Sequence, residues 1–201
     1  MVNLSEIQCV VMRYREPACE ELSQWLYRMG VEWRYGISDY EIDVARNRNI
    51  LRFLAEDVPR GKQYLLSIND DMVPIGETSP ILTADGDLVY CASPGNQGTV
   101  DHYGDRQLSG ACWRASARLL KSFGPPWFRL GHSGDLTERT YCDCNYFRDR
   151  CNDAGFDARM VGHIGHAMRC VLVPDPEDPS KRWRLVWPRQ LDYAQICQTQ
   201  G

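Results

Sequence analysis

Hydrophobic and polar positions form distinct blocks along the first part of the chain, and each block predicts one element. Residues 7–12 (IQCVVM) are apolar except for Gln8, which is typical of a buried strand of a parallel sheet. Apolar residues at helical spacing follow, with Gly30 as a stop, and residues 31–38 alternate like a second strand. A second helical stretch over 39–56 precedes the apolar run YLLSI at 64–68. The order β-α-β-α-β predicts a right-handed parallel sheet and an α/β fold class.

The pattern after residue 74 is less regular and contains several segments rich in Gly, Ser, Pro and Asp. Short strands are predicted at 80–83, at 88–91 and over 156–160, the last continuing to Gly165. Helices are predicted over 114–123 and 143–154, each ended by glycine. The stretch 95–106 is interpreted as a mobile loop, and 131–140 as a second polar loop. No repeat or strong linker divides the chain, so one domain is expected.

Two adjacent carboxylates, Asp70 and Asp71, follow the YLLSI strand almost directly. They are expected at the carboxyl end of a parallel strand, which is where open α/β sheets bind their ligands. Carboxylates are costly to bury without a cation or hydrogen-bond donors, and a divalent metal serving a phosphate is one partner that suits them. The alternative is a strand that ends in a solvated acidic turn, and the acidic pair alone favours this alternative, because such pairs are common after strands.

Composition excludes some classes of function. The chain has 201 residues and a net charge of −4, so nucleic acid is not expected as a ligand. No apolar run is long enough to span a membrane, and the N-terminal residues do not have the pattern of a signal peptide, so a cytoplasmic location is expected. The nine cysteines are scattered, and we expect most of them to be reduced.

Four separated segments together resemble the nucleotide-sugar-dependent glycosyltransferases of the GT-A fold, in particular short family-2-like members from phages and bacteria. The ordered set covers roughly residues 5 to 170. Each motif alone is weak, and the set is more specific than its parts. The segments are Asp43-Val-Ala-Arg-Asn-Arg48, Leu65-Leu-Ser-Ile-Asn-Asp-Asp-Met-Val-Pro74, Gly110 to Phe128, and Cys142-Asp-Cys-Asn-Tyr-Phe147 with the later Asn152-Asp-Ala-Gly155 and Val161-Gly-His-Ile-Gly165.

The resemblance implies a metal-dependent transfer of a sugar from a nucleoside diphosphate, UDP being the expected nucleotide, to an acceptor hydroxyl. It implies that Asp71 and His163 bind Mn²⁺ or Mg²⁺, and that Asp70 contributes to the metal or to the donor's ribose. Asp143 is the expected general base of an inverting reaction, because such a reaction needs a group that takes the acceptor's proton. The alternative for Asp143 is that it caps its helix.

Two departures from the family pattern weaken these assignments. The first acidic residue of the DxD motif is Asn69 here, which offers only a neutral oxygen and lowers the charge of the metal site. The Glu of the family's Glu-Asp pair is Cys142, so Asp143 is the one carboxylate left there. The resemblance implies a division of the domain into a nucleotide-binding half at 1–74, an acceptor and catalytic half at 75–170, and a tail at 171–201.

The loops after the first two strands supply the candidate nucleotide contacts. Arg13 could meet the diphosphate and Tyr14 could stack on the base, while Asp39 could accept a hydrogen bond from the base or ribose. Arg46, on the following helix, could face the same site. Ordinary surface or helix-face positions are the alternative for each. Trp127 and Phe128 could form an acceptor platform, but the hydrophobic core is the stronger interpretation for this pair.

Two other functions stay open from the sequence. Cys142, Cys144, His163 and His166 are residue types that bind zinc, which would make the chain a structural or interaction module, although their spacing fits no standard finger. A nucleotide-binding GT-A-like protein without transfer activity is the second, because of Asn69 and Cys142. The acceptor, whether carbohydrate, lipid or protein, is not readable from the residues, and the tail leaves a homodimer open.

Overall fold

The computed structural model describes residues 2–13, 18–38, 41–93, 108, 110–132, 139–166, 171–173 and 184–186. Two compact units cover the chain, Met1–His166 and Ala167–Gly201. Among the described residues, the first unit contains five α-helices and the strands up to His166. The helices are α1 (Glu20–Met29), α2 (Ile42–Arg52), α3 (Pro80–Thr83), α4 (Ala117–Ser122) and α5 (Asp143–Asp153). The main strands are β1 (Ile7–Met12), β2 (Trp33–Tyr35), β3 (Tyr64–Asn69), β5 (Leu88–Ala92), β6 (Cys112–Ser116) and β9 (Ala158–His163), and the short ones are β4 (Met72–Val73), β7 (Gly131–His132), β8 (Arg139–Tyr141) and β10 (Gly165–His166).

Six strands form one sheet in the order β2-β1-β3-β6-β5-β9. β1 pairs in parallel with β2 and β3, and β5 pairs in parallel with β9. β6 lies between β3 and β5 and is antiparallel to both. The α/β class and the mostly parallel sheet flanked by helices are therefore as predicted. The carboxyl ends of β1, β2, β3, β5 and β9 lie at one edge of this sheet, together with the amino end of β6.

Hydrophobic side chains cover both faces of the sheet, which explains why its central strands lack polar alternation. Every residue of β1, β5 and β6 is buried. One core contains Ile50 of α2 and Phe147 of α5, and the opposite core contains Leu22 and Trp25 of α1. Helices thus bury their apolar stripes on each side of the sheet.

The first half of the chain follows the predicted order closely. α1 ends at Gly30, which has the left-handed φ of 67° that favours glycine in a helix C-cap. The second strand is shorter than predicted, since only Trp33–Tyr35 pairs with β1. α2 continues beyond Arg52 as a π-helical turn over Phe53–Asp57.

Two predicted elements in the second half are wrong. Residues 80–83 form helix α3 rather than a strand, because Pro80 suits a first helical turn and Arg114 binds the carbonyls at the other end. The guanidinium donates to the Ile81 oxygen at 2.8 Å and the Leu82 oxygen at 2.7 Å. The helix predicted over 114–123 begins only at Ala117, after strand β6.

The later elements agree better with the sequence. α5 and β9 match the helix predicted at 143–154 and the strand predicted from residue 156. The loop at 95–106 lies outside the described residues, so its predicted mobility stays a prediction. The second unit contains an antiparallel pair of strands, β11 (Val171–Val173) and β12 (Arg184–Val186). No helix in the described part of the chain is long and apolar enough to cross a membrane.

Candidate functional site

The end of β3 places the predicted acidic segment at the carboxyl edge of the sheet. Asn69 donates its backbone N–H to the Ala111 oxygen at 2.9 Å, and Asp70 donates to the Met12 oxygen at 3.0 Å. The Asp70 carbonyl in turn accepts from the backbone N–H of Cys19, at the start of α1, at 2.8 Å. The segment is thereby fixed between the ends of β1 and β6. Asp70 is 7% exposed, whereas Asn69 and Asp71 are half-buried.

The pKa of the Cys19 thiol reflects the negative charge at this edge of the sheet. It donates to the Met72 oxygen at 3.0 Å. Its pKa is raised, first by burial and then by the nearby carboxylates of Glu21, Asp71 and Asp70. A concentration of negative charge at a sheet edge is suited to a cation, and oxygen donors are the ligands that Mn²⁺ and Mg²⁺ prefer. The residues present therefore fit such a metal by their chemistry.

A short antiparallel ladder connects the acidic segment with the segment that contains His163. In β4 and β10, Val73 lies opposite Gly165 and Met72 lies opposite His166. Asp71 precedes this ladder by one residue, and His163 precedes its other strand by two residues. Because the two strands are antiparallel, Asp71 and His163 lie beyond opposite ends of the ladder. The backbone of His166 therefore lies nearer to Asp71 than the backbone of His163 does.

His163 forms a close contact with a residue that the sequence did not predict. Its Nδ1 lies 2.8 Å from Oε2 of Glu77, and the two side chains are 42% and 70% exposed. Glu77 belongs to a 3-10 turn over Gly76–Thr78. Its position six residues after Asp71 carries no sequence signal, since an acidic residue in a loop is ordinary.

Asp143, the expected base, lies in a buried ion pair. Its Oδ2 accepts from Nη1 of Arg46, and the two side chains are 2% and 3% exposed. Its Oδ1 lies 3.4 Å from the Cys144 sulfur and 3.6 Å from the Cys142 sulfur, so two thiols converge on one carboxylate oxygen. The N-cap of α5 is Cys142. The alternative that Asp143 is the cap is therefore wrong.

Arg46 links this pair to the acidic edge. Its Nη2 donates to the Gly110 oxygen at 3.0 Å, and its guanidinium lies 5.1 Å from the centre of the Phe128 ring. Because the neighbouring Ala111 binds Asn69, a chain of contacts runs from the end of β3 to Asp143. A direct contact of Arg46 with a nucleotide would require this pair to open, and that assignment stays a prediction.

The residue after Arg46 has a structural role that the sequence did not reveal. Asn47 accepts from the backbone N–H groups of Trp127 at 2.8 Å and Phe128 at 3.1 Å, and it donates to the Phe128 oxygen at 2.7 Å. Trp127 and Phe128 are 2% and 0% exposed. The core interpretation of this pair is thus confirmed, and the acceptor-platform alternative is wrong.

Of the remaining candidate nucleotide contacts, Arg13 belongs to the residues that the structure describes. Arg13 follows β1 directly, is exposed, and lies over the Tyr35 ring with 5.5 Å between its guanidinium carbon and the ring centre. Tyr14 and Asp39 lie outside the described residues. Tyr35 was missed by the sequence analysis, although it ends β2 at the same edge. Its hydroxyl accepts from the Ala18 N–H at 3.3 Å, which fixes the ring beside Arg13.

Among the described side chains, the structure brings together two residues of the zinc alternative, Cys142 and Cys144. Cys142, Asp143 and Cys144 offer ligand atoms within 4.8 Å of one another, and no other such group occurs among the side chains that the structure describes. Arg46 occupies this cluster with a positive charge, at 3.3 Å from the Cys144 sulfur. The pKa of the Cys144 thiol is raised by its hydrogen bond with Cys142 and by burial, so it stays a protonated, poor ligand.

A cavity of about 360 Å³ lies at the opposite edge of the sheet. Its lining includes Glu6, Tyr64 and Asp87. Arg118 pairs with Asp87 there, so these two charges neutralise each other. It lies at the amino ends of the parallel strands, away from the edge where such sheets bind ligands, and we do not assign it a function.

Comparison with solved structures supports the fold. No family profile and no curated protein sequence matches the chain. The crystal structure of A197 from STIV matches with a TM-score of 0.58 and 13% identity, over 92% of this chain and 99% of that one. Two further matches have TM-scores below 0.5. A glycosyltransferase involved in the glycosylation of the major capsid of PBCV-1 gives 0.36 at 16% identity, over 59% of this chain and 68% of that one. Glucosyl-3-phosphoglycerate synthase from Mycobacterium tuberculosis, solved with Mn²⁺, UDP and phosphoglyceric acid, gives 0.43 at 15% identity, over 81% and 71%.

Proposed function

We propose that this protein is a metal-dependent glycosyltransferase that moves a sugar from a UDP-linked donor to an acceptor hydroxyl. The observation that carries the proposal is the arrangement at the carboxyl edge of the sheet. Backbone hydrogen bonds fix Asn69 and Asp70 there, and the β4–β10 ladder joins the residue after Asp71 to the segment that contains His163. Asp70 and Asp71 belong to one of the four GT-A-like sequence motifs and His163 to another, and the carboxyl edge is the part of an α/β sheet suited to a nucleotide.

Asp71 and His163 are the proposed ligands of Mn²⁺ or Mg²⁺, with Asn69 and Asp70 contributing oxygen atoms to the metal or to the donor. Because Asp71 and His163 lie beyond opposite ends of the β4–β10 ladder, binding one ion would have to bring their side chains together. When bound, such an ion would stabilise the negative charge that develops on the diphosphate leaving group. Arg13 and Tyr14 are proposed to contact the donor nucleotide from the loop after β1, and Asp39 from the loop after β2. Tyr35 would supply an aromatic face beside Arg13.

Asp143 is the proposed base, and its burial sets a condition on that role. A base must come within hydrogen-bond reach of the acceptor hydroxyl, and a carboxylate that is 2% exposed cannot do so while it is fully paired with Arg46. Binding of the donor would have to open this pair or admit the acceptor beside it. Asp143→Asn should retain UDP affinity and lose transfer, and undiminished turnover would remove Asp143 from the reaction.

The first experiment is a calorimetric titration of UDP and of GDP, with Mn²⁺ and then with chelator. The wild type is expected to bind UDP only with the metal, and Asp71→Ala is expected to lose this binding while keeping its thermal midpoint. Asp153→Ala, at an exposed position on α5, is the matched control and should behave as the wild type. Binding of UDP that persists in chelator and in Asp71→Ala would overturn the metal assignment.

A binding protein without transfer activity is the second candidate, and the burial of Asp143 favours it. The two functions differ in turnover and not in nucleotide affinity. A panel of UDP-sugars incubated with Mn²⁺ should release UDP slowly through hydrolysis if the transferase proposal holds, even without an acceptor. Metal-dependent binding with no UDP release from any donor would select the binding protein.

A further inference from the structure

The contact between His163 and Glu77 determines which ring nitrogen of the histidine is available. An ionised carboxylate can only accept a hydrogen bond, so the 2.8 Å contact requires the hydrogen of the neutral imidazole to be on Nδ1. Nε2 then carries the lone pair that can bind a metal. A histidine without such a partner is free to place its hydrogen on either nitrogen, and part of its population would present no lone pair at Nε2.

Two further contacts hold the turn that carries Glu77 against the end of β9. The Thr78 hydroxyl donates to the His163 backbone oxygen at 2.7 Å and accepts from the Ile75 N–H at 2.9 Å, and Thr78 is fully buried. The turn also packs directly on Gly162, where an added Cβ would collide with the Glu77 carbonyl oxygen. Glu77 therefore faces His163 because its backbone is fixed there, which distinguishes the contact from a chance surface pair.

We propose that Glu77 is a positioning residue, which orients His163 and fixes its hydrogen on Nδ1 so that Nε2 can bind the divalent metal. The inference rests on the proposed function, since it takes His163 as a metal ligand. Glu77 itself is not proposed as a ligand. Carboxylates that accept from the far nitrogen of a metal-binding histidine commonly contribute 10-fold to 100-fold in metal affinity.

The test measures Mn²⁺ affinity in the presence of UDP for wild type, Glu77→Ala, Glu77→Gln and His163→Ala. Glu77→Ala should weaken Mn²⁺ binding about 10-fold to 100-fold. Glu77→Gln should lose less, because its amide oxygen still accepts from Nδ1. Glu56→Gln removes the same charge from an exposed position on another part of the chain and should bind Mn²⁺ as the wild type does.

A second readout does not depend on metal. The chain has four histidines, so ¹⁵N-histidine spectra of the metal-free protein can be assigned by comparison with His163→Ala. At a pH where the ring is neutral, wild-type His163 should carry its hydrogen on Nδ1. In Glu77→Ala a substantial fraction should move to Nε2, which a purely structural role of Glu77 would not produce.

The outcomes separate this inference from the proposed function. If wild type binds Mn²⁺ and His163→Ala weakens the binding, but Glu77→Ala changes neither affinity nor the position of the hydrogen, the role of Glu77 is overturned and the transferase proposal stands. If His163→Ala has no effect while Asp71→Ala does, His163 is not a ligand and the inference also fails. His166→Ala would then identify the alternative ligand. If wild type binds no metal with UDP, the proposed function itself fails.

Discussion

Two pairs of polar side chains, one an ion pair and one a histidine–carboxylate contact, each join segments that are far apart in the sequence, and their surroundings differ. Arg46 and Asp143 are separated by 97 positions and are 3% and 2% exposed. His163 and Glu77 are separated by 86 positions and are 42% and 70% exposed. The first pair is enclosed by the Phe128 ring, the Gly110 backbone and two thiols. The second pair is exposed to solvent.

The difference determines what each pair can do. A buried ion pair is costly to break, because the remaining partner becomes an uncompensated charge in a low-dielectric interior. It is therefore suited to fixing α2, α5 and the start of β6 relative to one another. An exposed pair adds little stability, but it can hold one atom in a defined state and present it to a ligand. Comparing the effects of mutations in both pairs would test this division of roles.

The largest effect is expected at Arg46. Arg46→Ala leaves the Asp143 carboxylate buried without its cation, and the free energy of unfolding should fall by about 3–5 kcal/mol in urea titrations. Arg52→Ala is the matched control on the same helix, where the side chain is 36% exposed and pairs with Glu56, and it should unfold close to wild type.

A double variant distinguishes loss of the pair from loss of packing. Replacing both partners by apolar residues, as in Arg46→Met with Asp143→Leu, should recover most of the stability that the single change removes. If Arg46→Ala costs no more than Arg52→Ala, the pair does not hold the two helices together, and the contrast with the exposed pair is lost.

The next effect is expected at Asn47, which holds the segment after α4. Asn47→Ala leaves the backbone N–H groups of Trp127 and Phe128 without their acceptor, and each such buried group costs about 1–3 kcal/mol. The free energy of unfolding should fall by about 2 kcal/mol. Asn152→Ala, at an exposed position on α5, is the control, and an equal effect of both changes would contradict the role of Asn47.

The first half of the fold was predictable because its elements are determined by local pattern. Continuous apolar runs gave β1 and β3, and helical spacing with Gly30 gave α1. α3 was mispredicted, because the helical form of residues 80–83 depends on Arg114, which lies about 30 positions further along the chain. The antiparallel position of β6 likewise follows from pairing with β3 and β5, which no local pattern encodes.

In the candidate site too, residues whose place follows from the local sequence were predictable, and contacts between distant segments were not. Asp70 and Asp71 were found because they directly follow a buried strand, and the end of that strand determines their place at the sheet edge. The partners Arg46 with Asp143, and Glu77 with His163, depend on tertiary contacts between distant segments. In a single sequence, neither residue of a pair indicates the other. The nature of Asp143 as a buried, paired carboxylate could therefore not be predicted.

A smaller effect is expected where the backbone of β9 meets the turn that carries Glu77. Gly162→Ala adds a Cβ that would collide with the Glu77 carbonyl, so the turn must shift, at a cost of about 1–3 kcal/mol. The same change at Gly124, where nothing lies within 4 Å of the added atom, should leave unfolding in urea near wild type. Equal stability of the two variants would show that the turn moves freely and does not fix Glu77.

The smallest effect on stability is expected at Glu77 itself. Glu77→Ala removes an exposed pair, so the free energy of unfolding should change by less than about 1 kcal/mol, well below the effect of Arg46→Ala. Glu77→Ala is expected to lose Mn²⁺ affinity with little loss of stability. For Arg46→Ala, the main expected effect is the loss of stability. A loss of stability at Glu77 comparable to that at Arg46 would place the His163 contact among the structural pairs. A small change in unfolding combined with weakened metal binding would instead separate a pair that holds the fold from a pair that prepares a ligand.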